Sequence, residues 1–227
     1  MNLNIKKTVV AINSILLIII IVLSPLACYL YNFNFYNSLF VKNGVYEVLD
    51  KNDVKKLTEN VYDYFKYKRD FETFELKGNI KFFNETEISH LNDVRILLKK
   101  IMTVFYISIA LFVLFTILLV EKKRKRFLKN ISLSAMISSA VLICLFILLY
   151  FFGNNFWALF EKFHYIFFPQ GNWAFPEGSL IITIFPFGFF SDFFYKLITV
   201  SVVIAVILLA LAIAGTAFAN YKTKVKS

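Results

Sequence analysis

The chain is short of most of what reactive chemistry is usually built from. Its 227 residues include two cysteines, two histidines and four prolines, and only 18% are charged. Cys28 and Cys144 both fall inside apolar runs, and neither belongs to a CxxC pair. That excludes a disulfide framework or a cysteine-built metal centre and leaves buried packing as the expectation for both. There is no Gly-x-Ser-x-Gly elbow, no phosphate-binding glycine loop and no HExxH, and no cysteine lies near either histidine. The common serine-hydrolase, nucleotide-binding and zinc-protease machineries are therefore missing. No internal repeat is visible. Four long stretches carry no charge at all, which argues against an ion or proton path through them.

What is abundant is apolar surface. Hydrophobic residues make up 59% of the chain, and phenylalanine alone occupies 28 positions. That composition is outside soluble globular usage. The uncharged runs are 8–31, 101–120, 131–153 and 197–219. A hydrocarbon core is crossed by about 20 helical residues, so each run is long enough. Their backbone groups must be satisfied within the segment, and none shows the alternating polarity of a barrel strand. The first run follows Lys6 and Lys7 as a signal peptide would, but it exceeds a signal core, and Pro25 stands where a lipoprotein signal usually has Leu. A retained helix is expected.

Charge supplies the orientation. Residues 1–7 at the N-terminus, the loop 121–130 and the tail 220–227 hold eleven Lys/Arg and one acid, Glu121. The remaining segments hold fourteen of each sign. The whole basic excess thus lies on one side, as expected for cytoplasmic pieces. The basic loop is expected to fix orientation and touch anionic membrane lipid, not nucleic acid. The expected fold is a mainly α membrane protein, a four-transmembrane-helix bundle with a small α+β extracytoplasmic cap.

The cap comes from segment 32–100. "NDVKKLTENVYDYF" places Val54, Leu57, Val61 and Tyr64 or Phe65 on one helical face, with Asn52 or Asp53 as its cap. "FETFELKGNIKFF" has the pattern of a hairpin with a KGN loop, pairing Leu76 with Ile80 and Phe74 with Phe82. Asn84 followed by Glu87 is a capping-box signal for a helix that should continue into the second span. The second outer segment, 154–196, opens on an aromatic stretch suited to an interfacial helix. It passes through the turn-rich "FPQGNWAFPEG", and Pro186 and Gly188 then interrupt its last apolar stretch, which suggests a re-entrant or interfacial segment.

Both histidines fall in these outer segments, near the ends of apolar runs. On a continuous helix Glu87 and Asp93 each lie three positions from His90, so the three neighbour one another. Arg95 belongs to the same stretch and counts with them as a supporting residue, though it points to another side. Imidazole titrates near neutrality and serves as acid or base, and a carboxylate can orient it. With general acid/base groups but no nucleophile of its own, the chain suits a reaction whose substrate supplies the nucleophile, such as an amine attacking a neighbouring ester.

"EISHLNDVR" before the second span, "HYIFFPQGNWAFPEGSLIITIFPFGFF" in the second outer segment and the four-span layout resemble the lipoprotein intramolecular transacylases, integral membrane proteins of some Gram-positive bacteria. The resemblance implies an acyltransferase acting on diacylated bacterial lipoproteins at the extracytoplasmic face of the cell membrane, with both termini cytoplasmic. It implies transfer of the sn-2 acyl chain of the diacylglyceryl group to the α-amino group of the terminal cysteine, giving the lyso form, with no cofactor. On that resemblance His90 is expected as general base, held by Glu87 or Asp93, and His164 as oxyanion stabiliser or proton donor to the departing glycerol oxygen. Trp173, Pro176 and Pro186 are expected to shape the substrate cavity. Two other readings stand beside it. One is a non-enzymatic assembly factor or transporter subunit, and the other a zinc site made from His90, His164 and a carboxylate.

Overall fold

The computed structural model describes residues 2–68, 70, 83–121, 124–152 and 155–224, except for the side chains of 150–152 and 221–224. Among these residues the regular structure is helical, with no strand. In chain order the helices are α1 (Leu3–Tyr29), α2 (Phe33–Lys42), α3 (Val45–Val48), α4 (Lys51–Phe65), α5 (Glu85–Leu118), α6 (Arg124–Phe152), α7 (Phe156–Phe167), α8 (Leu180–Ile184) and α9 (Phe187–Lys224). Four of them, α1, α5, α6 and α9, are long and apolar enough to cross a membrane. The hairpin expected in "FETFELKGNIKFF" falls on 71–83, of which all but Phe83 lie outside the described residues.

The chain divides into two compact units. The first comprises Met1–Ala27, Met102–Asn154 and Leu197–Ser227. With so few charges, its helices are tied by small polar groups. Asn13 is fully buried and donates to the Thr116 hydroxyl at 3.0 Å. The Ser138 hydroxyl donates to the Ser14 carbonyl at 2.9 Å, and those of Ser134 and Ser201 reach the carbonyls of Val10 and Ile21. Between apolar helices such bonds give register that lipid-like side chains alone cannot. Lys6 pairs with Glu121 at 2.7 Å, so the single acid of the basic loop is already engaged. Both cysteines are exposed on their helices, not packed inside as expected.

The second unit comprises Cys28–Ile101 and Asn155–Lys196. Its core is formed by Phe40, Val54, Leu57, Val61, Ile184 and Phe189 with their neighbours. The α4 face carries the expected Val54, Leu57, Val61 and Tyr64, all buried. Its cap lies earlier than expected: Asp50 accepts the N–H groups of Asn52 and Asp53. An Asp one residue before the first helical position has extended backbone and can turn its carboxylate back onto the free amides, which Asn52 and Asp53 inside the first turn cannot do. The capping box forms as expected. Asn84 N–H donates to Glu87 Oε2 at 2.7 Å, and Glu87 N–H donates to Asn84 Oδ1 at 2.9 Å. From there α5 runs unbroken to Leu118.

The last apolar stretch resolves into the short α8 and the start of α9. Pro186 lies between the two helices, interrupting the stretch as expected, and it stands immediately before α9, where a missing N–H costs no helical bond. Gly188 permits a close approach to α2. A Cβ at this position would overlap Asn43 Oδ1. Asn43 caps α2 by donating to the Leu39 carbonyl and also donates to Asp192, which Lys42 pairs with as well. Gly→Ala inside a helix normally stabilises by about 1 kcal/mol. Here we expect Gly188→Ala to destabilise by about 1–3 kcal/mol, because the added methyl displaces Asn43. Thermal unfolding in detergent reads the sign directly: a variant with an unchanged or higher Tm would contradict this packing.

Candidate active site

Both histidines belong to the second unit, His90 on the opening turns of α5 and His164 near the end of α7. The structure brings them together. Their ring centroids are 5.9 Å apart with planes inclined by 26°, and each residue is only 7% exposed. Aromatic side chains close around them. Phe168 and Phe175 meet the His90 ring edge-on at 4.8 and 5.5 Å. Phe160 lies 4.1 Å and Trp173 4.8 Å from the His164 ring. Further out, Phe160 continues into a wall with Phe156, Phe187 and Phe190.

Burial sets the protonation of the pair. It penalises the imidazolium, and the adjacent His164 adds to this for His90. Together they push the His90 pKa from 6.5 down to about 4, against the smaller upward pull of the Asp93 charge and the Asn172 side chain. Burial likewise lowers His164, partly offset by a hydrogen bond to the Phe160 carbonyl. Both rings are therefore neutral at pH 7.

That bond also fixes the His164 tautomer. Nδ1 lies 2.7 Å from the Phe160 carbonyl oxygen, which can only accept, so Nδ1 carries the proton and Nε2 keeps its lone pair.

The supporting residues have distinct placements. Glu87 is 1% exposed, and its carboxylate is taken up by backbone amides, not by the His90 ring. Oε2 accepts from Asn84 and Oε1 from Ile181 N–H at 2.9 Å. Ser179, the cap residue of α8, makes no side-chain cap, so Glu87 supplies that helix with its acceptor from α5. Asp93 holds the turn-rich segment after α7: its Oδ2 accepts from Gln170 at 2.6 Å and from Asn172 at 2.8 Å. Arg95 turns away from the histidines. It lies over the rings of Tyr64 and Tyr67 and donates to Asn92. Among the described residues no set of three His, Cys, Asp or Glu converges, so the donors of a zinc site are not assembled.

Trp173 lies against His164 and meets Tyr165 edge-on, with its indole N–H buried and unpartnered. Pro176 belongs to the turn into α8, where its carbonyl accepts from Ser179. Pro186 immediately precedes α9 and Phe187 of the aromatic wall. The residues the sequence reading passed over are Gln170, Asn172, Phe168 and Phe175. The first two sit in a Pro- and Gly-rich stretch, where amides read as turn formers. Gly171 and Gly178 do take left-handed backbone there, with φ of 78° and 84°.

A family model described as lipoprotein intramolecular transacylase Lit matches residues 11–190. The fold is similar to the solved structure of the membrane-integral lipoprotein intramolecular transacylase Lit from Bacillus cereus, with a TM-score of 0.73, 21% identity and full coverage of both chains. A structure of the Bacillus cereus protein with a histidine-to-arginine mutation gives a TM-score of 0.71 at 19% identity, covering 99% of this chain and 96% of that one. One with a histidine-to-alanine mutation gives 0.67 at 21%, covering 99% and 97%. No curated protein sequence matches.

Proposed function

The chain belongs to the lipoprotein intramolecular transacylase family, and from that membership we propose that His164 and His90 are the two proton acceptors its reaction needs. An enzyme of this family is an acyltransferase that moves an acyl chain within one lipoprotein. The proposed donor is the sn-2 ester of the diacylglyceryl group. The proposed acceptor is the α-amino group of the terminal cysteine, and the product is the lyso form.

Proton bookkeeping explains why two bases suit this reaction. The substrate amine enters as an ammonium with three N–H bonds and leaves as an amide with one. One imidazole converts the ammonium to the nucleophilic amine, whose reference pKa is about 8. The amine attacks the ester carbonyl carbon, forming the C–N bond. The second imidazole takes a further proton from nitrogen and hands it to the glycerol oxygen as the C–O bond breaks. The other proton goes to solvent. No outside nucleophile, acyl donor or redox partner is consumed. Amine and ester are parts of one molecule, so positioning supplies much of the rate.

What carries the reading is the stacking of the chain's only two histidines at 5.9 Å, both kept neutral by burial. His164 fits the first role best, since the Phe160 carbonyl holds its Nδ1–H and commits Nε2 as base. This reverses the sequence-based assignment of His90 as the first base. The aromatic wall along α7 and the start of α9 is suited to acyl chains. The finer features of the sequence reading belong to the same proposal. They are spans at 8–31, 101–120, 131–153 and 197–219, a cap whose strand part rests on the 71–83 pattern, and cytoplasmic termini. The proposal also keeps a basic loop facing anionic lipid and not nucleic acid, with the site on the extracytoplasmic face.

The test is expression of the wild type and a His90→Ala/His164→Ala double variant in cells that make only diacylated lipoproteins. Mass spectrometry of lipoprotein amino termini should show the N-acylated lyso form with the wild type and the unmodified diacyl form with the variant. Equal lyso product from both would remove the histidines from the mechanism.

A further inference from the structure

The mechanism leaves one feature of the site unused. His90 Nδ1 is buried without a hydrogen-bond partner, and so is Asn172 Oδ1. Leaving a polar atom buried and unpaired costs about 1–3 kcal/mol, so two such atoms, one on His90 and one on a residue hydrogen-bonded to the Ser89 and Asp93 side chains that flank His90 on α5, need an explanation.

The orientation of the Asn172 amide is not arbitrary. Its Nδ2 donates to Asp93 Oδ2 at 2.8 Å and to the Ser89 hydroxyl oxygen at 3.2 Å. A carboxylate only accepts, so the NH2 end must face Asp93 and the oxygen must face the other way. That commits Oδ1 as an acceptor. Burial keeps His90 neutral, so its ring has one N–H to offer. No bond of good geometry joins the two atoms, and the Asn172 side chain lies near enough to the ring to draw the His90 pKa upward. A bond between them would pair both orphans at once.

We propose that Asn172 is a positioning residue for His90: Asp93 orients its amide, its Oδ1 takes the His90 Nδ1–H, and His90 Nε2 is thereby fixed as a lone pair facing the substrate. The inference deepens the two-acceptor reading above and rests on it for its catalytic meaning. It makes the two histidines equivalent by different means. His164 is locked by a backbone carbonyl of its own helix, and His90 by an amide delivered from the segment after α7. Each then presents Nε2 as an acceptor, and a substrate ammonium, with three N–H bonds, is the group such a pair recognises. An Asp–Asn–His chain also leaves His90 without a direct carboxylate partner. A direct contact would stabilise the imidazolium and oppose the neutral state the reaction needs.

Nitrogen-15 NMR of histidine-labelled protein tests this directly, because the two tautomers of a neutral imidazole give distinct nitrogen shifts. With only two histidines, a His164→Phe variant assigns the signals. The wild type at pH 7 should show His90 protonated at Nδ1. In Asn172→Ala, His90 should move to Nε2–H, the form imidazole favours in water, and the reaction should slow by about ten- to a hundredfold. The swap Asp93→Asn with Asn172→Asp keeps an N–H donor facing an acceptor at the 93–172 contact and still presents an oxygen to His90. It should restore the Nδ1–H form while raising the His90 pKa. A merely structural role for Asn172 would not move the tautomer. His90 protonated at Nε2 in the wild type would overturn the proposal, as would an unchanged tautomer and rate in Asn172→Ala. The wild-type spectrum does not depend on activity. This inference and the two-acceptor mechanism can therefore fail separately.

Discussion

His164→Phe should slow conversion of a diacylated lipopeptide by about a thousandfold, within the 10²- to 10⁴-fold range of a lost general base. Phenylalanine is the informative replacement because His164 lies among Phe160, Phe163, Phe168 and Trp173. It preserves that packing and removes only the ring nitrogens. His164→Ala should lose the same chemistry and some stability as well, since it leaves a cavity beside Trp173. His90 stays in place in both variants, but a single imidazole cannot carry both nitrogen-bound protons in turn without an exchange with solvent. Lyso product followed by mass spectrometry under single-turnover conditions gives the rate. A His164→Phe protein within tenfold of the wild type would show that Nε2 of His164 is not the base.

Glu87→Ala should be the most damaging single change to stability outside the apolar core. The carboxylate lies 1% exposed on α5 and accepts from two backbone amides, those of Asn84 and of Ile181, 94 positions further along the chain. Deleting it leaves both N–H groups unpaired, at about 1–3 kcal/mol each. The expected loss is about 2–5 kcal/mol, a fall in Tm on the order of 5–15 °C for a chain of this size. Ile181 lies in the first turn of α8, which leads to Pro186 and the aromatic wall, so activity should fall with stability. Glu87→Gln keeps the volume but can turn only one oxygen toward the two donors, and it should fall in between. Equal thermal unfolding of Glu87→Ala and wild type would mean that the α5–α8 tie carries no weight.

The contrast between these residues shows what the sequence could reveal. Local chemistry was legible. Asn84 and Glu87 are three positions apart, and their capping box follows from helical spacing. The α4 face follows from the period of Val54, Leu57 and Val61. The pairing of the histidines was suggested by their scarcity and family pattern, since nothing local links residues 74 positions apart. What sequence did not reveal was the second partner of each polar group. Glu87 was read as a support for His90 because it lies three positions away. Its free oxygen instead goes to Ile181, whose nearness is set by packing among Leu180, Ile184 and their neighbours. Asp93 was also assigned to the imidazole, and its carboxylate instead accepts from Gln170 and Asn172. The Asn172 role could not be read from "PQGNWAFP", where Pro and Gly account for the backbone and the amide looks like part of the turn. Pro186 was a breaker by residue type, and it does separate α8 from α9.

The central claim is that two buried neutral imidazoles do the proton work. The pH dependence of the single-turnover rate on purified wild-type protein tests it most directly. Burial lowers both pKa values below 6.5, that of His90 to about 4. The active, neutral form therefore still predominates at pH 6.5 and gives way to the charged form at lower pH. The predicted profile is half-maximal below pH 6.5. It should steepen towards a two-proton dependence near pH 4, where His90 also titrates, and His90→Ala should remove that second step. A half-maximal rate at or above pH 6.5, or a rate unchanged between pH 7 and 4, would contradict the account.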